Sequence, residues 1–125
     1  MPAQRAIRIA LDGDQSIDGL ILAGGRLREQ RDRAWEALNA IPGVSCVKPK
    51  GALYVFPKID LGLYPIRDDE QFVLDLLLQE KIHIVQGSAL NWPEPDHVRI
   101  ATLPHADELE AAINRIGHFL TTYRQ

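Results

Sequence analysis

The stretch IHIVQGSALNWPEPDHVRIATLP, residues 82–104, decides the fold. Two short runs with β character, 82–86 and 97–101, flank a loop that carries every kind of turn residue. Gly87 and Ser88 open the loop, Asn91-Trp92-Pro93 turns it, and Pro95-Asp96 leads into the second run. In the middle of that run Arg99 stands between Val98 and Ile100. Successive strand residues face opposite sides, so Arg99 points away from its apolar neighbours. Its guanidinium is a planar fork of donors that fits a carboxylate with two parallel hydrogen bonds. Spacing alone favours the plainer reading, an arginine on the wet face of a half-exposed strand.

Working outward toward the C-terminus, Pro104 stops the sheet and residues 106–123 read as the clearest helix in the chain. Leu109, Ala112, Ile113, Ile116, Phe119, Leu120 and Tyr123 fall at steps of three and four. Asp107, Glu108 and Glu110 at its start and Arg124 at its end complement the helix dipole. Upstream, Asp68 and Gln71 have the spacing of a capping box and open a helix over 69–80. Phe72, Val73, Leu76 and Leu77 give it a broad apolar face, widened by Leu74 and Leu78. We expect burial on more than one side, with Lys81 suiting the negative end of the dipole. Residues 60–67, with Gly62 and Pro65, form a loop.

Further back, 44–48 and 52–57 are two β runs joined by Pro49-Lys50-Gly51, which reads as a hairpin with Gly51 supplying a turn conformation. Residues 26–41 form a helix with Leu27, Ala34, Leu38 and Ile41 on one stripe and Trp35 beside it as a core anchor. Residues 2–11 also have helical spacing, and Asp12-Gly13-Asp14 breaks it. Residues 19–25 read as a flexible linker, because Gly24-Gly25-Arg26 lacks the rest of a phosphate-loop pattern. We therefore divide the chain into residues 1–23, a helix with its linker, and residues 24–125. The second part has the order αββαββα, a two-layer α/β sandwich with helices on one face of a mixed or antiparallel sheet. Such sandwiches host many functions, so the architecture names none.

Composition narrows the field. A length of 125 residues suits one domain, and 46% apolar with 25% charged residues is ordinary for a globular protein. A net charge of −3 with no basic stripe argues against a nucleic-acid surface. No apolar run nears the roughly 20 residues that cross a bilayer, and the start lacks the apolar core of a secretory signal. The single cysteine, Cys46, cannot make an internal disulfide, which suits a reducing cytoplasm, and a buried strand thiol is the reading favoured for it. The four histidines show no metal-ligand spacing. His83 and Cys46 could meet across a sheet, but no third group orients such a pair.

GALYVFPKID at 51–60, IVQGSALNW at 84–92 and HVRIATLP at 97–104 resemble the C-terminal part of class I/II aminotransferases, pyridoxal-phosphate enzymes of fold type I. GGRLREQRDRAW at 24–35 brings the likeness nearest to the alanine (glutamate–pyruvate) branch. The resemblance implies that the chain is the small domain of such an enzyme. Arg99 falls where the family places the arginine that grips the substrate's α-carboxylate, and Gly51 and Ala52 fall near residues that face substrate in some relatives. Gly87, Ser88, Asn91 and Trp92 would line the mouth, with Asn91 a candidate substrate contact. The family's Schiff-base lysine lies in a larger domain upstream, and none of Lys48, Lys50, Lys58 and Lys81 stands in its motif. The resemblance thus implies no catalytic or cofactor-binding residue here and no stable pyridoxal 5'-phosphate binding by this chain alone. The expected partners are the missing large domain, an amino acid or 2-oxo acid, and a second copy. Residues 2–11 would fold back on the sandwich or be shared within a homo-oligomer. Two alternatives stay open: the small domain of a fold type I lyase, and a stand-alone amino-acid-binding module.

Overall fold

A computed structural model describes residues 2–125. Five helices and five short strands follow one another as α1 (Pro2–Asp12), α2 (Asp18–Ile21), α3 (Arg26–Ala40), β1 (Val44–Ser45), β2 (Tyr54–Val55), β3 (Lys58–Ile59), α4 (Asp69–Glu80), β4 (Val85–Gln86), β5 (Val98–Ala101) and α5 (Ala106–Thr122). Strand β5 is central, pairing antiparallel with β2 on one side and β4 on the other. A smaller antiparallel ladder joins β1 to β3, and the Lys58–His97 bridge connects the two ladders. Every pairing is antiparallel, which resolves the choice left open by the sequence. Helices α3, α4 and α5 cover one face of this sheet, so the expected two-layer α/β sandwich is the fold.

The core lies between the layers. Val55, Val98 and Ile100 point from the sheet at Leu38 on α3, Phe72 and Leu76 on α4, and Ile113, Ile116 and Leu120 on α5. Alternation along β5 explains its pattern: Val98 and Ile100 are buried, while Arg99 and Ala101 face the other side. Gly117 lets α5 approach α3's end closely, since a Cβ there would lie 3.0 Å from Ile41 Cγ1. At the end of α5 the Tyr123 hydroxyl donates to Asp75 Oδ2 at 2.7 Å. Burial, together with the Asp75 carboxylate, pushes that phenol up to about 12.

Four expectations are corrected. The runs at 44–48 and 52–57 do not form a hairpin, because β1 pairs with β3 and β2 with β5. Asn39 explains where β1 stops: its side chain accepts from the Cys46 N–H and donates to the Cys46 carbonyl, at 3.0 and 3.1 Å. Trp35 Nε1 donates to the same carbonyl at 2.9 Å, so side chains take both backbone groups of Cys46. Residues 19–25 are not an open linker either; α2 packs on α3, and a Cβ on buried Gly25 would meet the Leu20 backbone at 2.4 Å. Helix α4 buries Phe72, Val73 and Leu76 but exposes Leu74, Leu77 and Leu78, so its burial is one-sided. Helix α1 has the expected bounds within one residue yet buries none of its side chains, and so does not fold back on the sandwich.

The Asp68 cap is found, with its side chain accepting from Gln71 N at 3.0 Å. The reciprocal half differs: Gln125 Oε1, not Gln71, accepts from the Asp68 N–H, at 2.8 Å. Lys81 ends α4 in the left-handed region (φ 57°), and its ammonium donates to the Leu78 carbonyl at 2.7 Å.

Candidate functional site

The sheet face not covered by helices carries the candidate residues. Tyr54 comes from β2 with Phe56 just past its end, and Arg99 and Ala101 come from β5 with His97 just before its start, while Val85 lies alongside through its pairing with Arg99. Arg99 is half-buried, and its guanidinium carbon sits 4.7 Å from the centre of the Tyr54 ring. Among the described residues it forms no salt bridge, whereas Arg31, Arg33 and Arg115 each hold a carboxylate. A guanidinium is a planar fork of donors that can take a carboxylate with two parallel hydrogen bonds.

The loop between β4 and β5 is held from beneath. Asp96 is buried and accepts from Trp92 Nε1 at 2.8 Å and from His97 Nδ1 at 2.6 Å, with Lys58 Nζ at 3.5 Å. Burial pushes the Asp96 carboxyl up, but the His97 and Trp92 hydrogen bonds and the nearby His97 and Lys58 charges outweigh it and hold the group below its ordinary value. The rings of Phe56, Trp92 and His97 stack around this carboxylate, with centroids 4.3 to 5.5 Å apart. At the other end of the loop, buried Asp69 accepts from the Ser88 backbone and hydroxyl, at 2.9 and 2.7 Å. Gly87 is required by a close approach, since a Cβ would lie 2.8 Å from the His97 carbonyl oxygen.

Asn91 stands exposed on this loop, in the left-handed region at φ 60° beside Trp92. Gly51 and Ala52 instead line a cleft of about 320 Å³ with Ile21, Leu27, Arg28, Arg31, Lys50 and Leu53, whose walls include neither Arg99 nor Asn91. The turn conformation expected of Gly51 belongs to Ala52, at φ 61°, while Gly51 has no positive φ and open space around it. Left-handed backbone costs an alanine about 1–2 kcal/mol, and glycine's extra freedom in the unfolded chain costs about 0.5–1. Ala52→Gly should therefore stabilise the chain by about 0.5–1 kcal/mol. A urea midpoint that moves down would contradict this.

Cys46 is buried, with burial pushing its thiol up, as a structural cysteine requires. It lies just after β1, which pairs with β3, whereas exposed His83 precedes β4 on the far side of β5, so the two do not meet across neighbouring strands. Among the described residues no group of His, Cys, Asp and Glu side chains could hold a metal ion, and no helix is long and apolar enough to cross a membrane. Sequence reasoning passed over Tyr54 as a site residue and over the Asp96 and Asp69 anchors. Trp92 and Asp96, four apart with His97 adjacent, were the available signal.

A helix-backed antiparallel sheet with Arg99 on its open face defines a two-layer α/β sandwich. The chain belongs to the aminotransferase class I and II family, whose family model matches residues 2–116. Over all 125 residues it is 63% identical to the alanine aminotransferase of Mycobacterium tuberculosis and 59% to the glutamate-pyruvate aminotransferase AlaA of Escherichia coli. It spans 29% and 31% of those two curated relatives' lengths. A crystal structure of an aminotransferase from Escherichia coli superposes on the whole chain with a TM-score of 0.94 at 59% identity, using 31% of that protein. The alanine aminotransferase of Pyrococcus furiosus aligns with 98% of the chain and 30% of its own, at TM-score 0.81 and 38% identity.

Proposed function

We propose that this sandwich is the substrate-gripping small domain of an aminotransferase that exchanges an amino group between alanine or glutamate and 2-oxo acids. The observation that carries this reading is Arg99: a half-buried guanidinium, aimed off the open sheet face, with no carboxylate of its own. In that role residues 24–125 form the domain and residues 1–23 connect it to the larger part. Arg99 takes the α-carboxylate, Asn91 stands on the neighbouring loop, and Gly51 and Ala52, in their separate cleft, would meet substrate only in the assembled enzyme. Fixing that carboxylate orients the amino group and α-carbon, so the reacting atoms no longer depend on chance encounter. Closing the domain over the substrate expels water and strengthens the charge pairing inside.

The family resemblance implies pyridoxal 5'-phosphate, and the residues present do not fit it. All four candidate lysines, Lys48, Lys50, Lys58 and Lys81, are exposed. Lys48 pairs with Asp32 at 3.1 Å, Lys58 lies against Asp96, and Lys81 donates to a helix carbonyl. None occupies the desolvated pocket that would lower a lysine's pKa and make it a nucleophile. In this reading the cofactor and its lysine come from the larger part, and this chain alone turns over no substrate. A second copy and a cytoplasmic location complete the proposal, α1 with its exposed Ile7, Ile9 and Leu11 offering a surface to share.

In an intact enzyme containing this sequence, Arg99→Ala should lower kcat/KM at least tenfold, the equivalent of about 1.5–2 kcal/mol for a lost charge-assisted pair. The unfolding free energy of the chain should change by only about 0.5 kcal/mol, as at other partly exposed positions. Unaltered kcat/KM, or unfolding of the domain, would remove the arginine from this role. Saturable binding of alanine or glutamate by the 125-residue chain alone would favour the stand-alone module instead.

A further inference from the structure

We propose that Tyr54 is a positioning residue for Arg99, its ring holding the guanidinium in the orientation that receives a carboxylate. This rests on the carboxylate reading of Arg99 and adds how the side chain is made ready. The pairing of Tyr54 with Ala101 puts the ring on the same sheet face as Arg99, one diagonal step away. At 4.7 Å from the ring centre the guanidinium lies within reach of a cation–π contact. The Leu53 carbonyl accepts from the Thr102 N–H at 2.8 Å, which extends the β2–β5 ladder past Tyr54 and fixes its backbone.

The surroundings leave the ring as the main restraint on Arg99. The nearest acid along β5, Asp96, is already occupied by Trp92, His97 and Lys58 and cannot draw the arginine down. Val85, the partner on β4, offers only an apolar flank. An arginine carries several rotatable bonds, and ordering them on binding weakens affinity unless they are ordered beforehand. A contact with the ring restricts those bonds, and a guanidinium laid flat on a ring keeps its N–H edge free for an anion. The Tyr54 hydroxyl has no protein partner among the described residues, so the ring, not the phenol, has the role.

The test uses the 125-residue chain and nitrogen-15 NMR of the arginine Nε–H groups, with Arg99 assigned by the signal lost in R99K. In the native chain the Arg99 signal should be displaced by the Tyr54 ring current. Y54F should keep that displacement, and Y54L should abolish it. Y54T, a good strand former, gives the same readout if leucine disturbs the sheet. In an intact enzyme containing this sequence, the affinity for pyruvate should be about three- to fivefold weaker in Y54L and within about twofold of native in Y54F. A displacement unchanged in Y54L and Y54T, or equal pyruvate affinity in all variants, overturns the proposal. Loss of the displacement in Y54L, together with unaltered kcat/KM in an intact Arg99→Ala enzyme, upholds the stacking and removes the carboxylate reading of Arg99 instead.

Discussion

Asp96→Ala should lower the stability of the chain by about 3 kcal/mol, because it strips a buried acceptor from three donors at once. Trp92 Nε1 at 2.8 Å and His97 Nδ1 at 2.6 Å would both lose their partner, and Lys58 its counter-charge. The His97 donor is the costlier of the two ring donors, since its side chain is largely covered while the Trp92 ring is partly open to water. Lys58 is exposed and adds little, as surface pairs do. Asp96→Asn keeps the shape and one acceptor oxygen, so it should cost less than the alanine variant.

A pH dependence follows from the same contacts. The Asp96 carboxyl titrates below its ordinary 3.8 in the folded chain, so the unfolded chain binds this proton more readily. The stabilisation is therefore complete above about pH 4–5 and is lost as pH falls through the lowered folded value. Urea midpoints at pH 6 and pH 3 should differ more in the native chain than in Asp96→Asn. Equal differences would show that the carboxylate is not ionised there. The loop should also respond: with Trp92 released, its indole fluorescence should shift toward that of a solvent-exposed ring.

Periodicity carried most of the fold. Helices α3, α4 and α5 were legible because their apolar residues recur at steps of three and four around a single stripe. Strand pairing was less legible, since β1, β2 and β3 have only two residues each and their partners are set by side chains. Asn39, spent on Cys46, ends β1 and breaks the expected hairpin, and no local propensity encodes that. Arg99 could be placed on the open face by alternation alone, and only family likeness suggested what it grips. Its neighbour Tyr54 lies 45 residues away and becomes visible only with the β2–β5 register. Leu74, Leu77 and Leu78 misled in the opposite sense, because an apolar residue on a helix need not face the core.

Gln30→Ala should be as damaging as the loss of Asp96, again by about 3 kcal/mol, although nothing in the sequence marks this glutamine. It occupies a helix position between charged neighbours and yet is fully buried, with no accessible surface. Its amide donates to the Leu103 carbonyl at 3.0 Å and also to the Pro104 carbonyl, the two residues that carry the chain out of β5 toward α5. Pro104 cannot donate, and the turn there has few hydrogen bonds of its own, so the glutamine supplies what a strand neighbour would. Arg26 reaches the Leu103 carbonyl at 3.1 Å, so that oxygen keeps one partner in the variant while Pro104 loses its side-chain donor. Truncation to alanine thus takes the side-chain donor from the Pro104 carbonyl and leaves a cavity where the buried amide stem stood, and both terms destabilise. Gln30→Glu separates the two terms: the volume is kept, but a carboxylate would face two carbonyl oxygens, so it should destabilise at least as much. Gln30→Leu keeps the bulk without charge and should fall between native and alanine. If all three substitutions leave the urea midpoint in place, then the exit of β5 is held by the α3–α5 packing alone and the glutamine has no structural role.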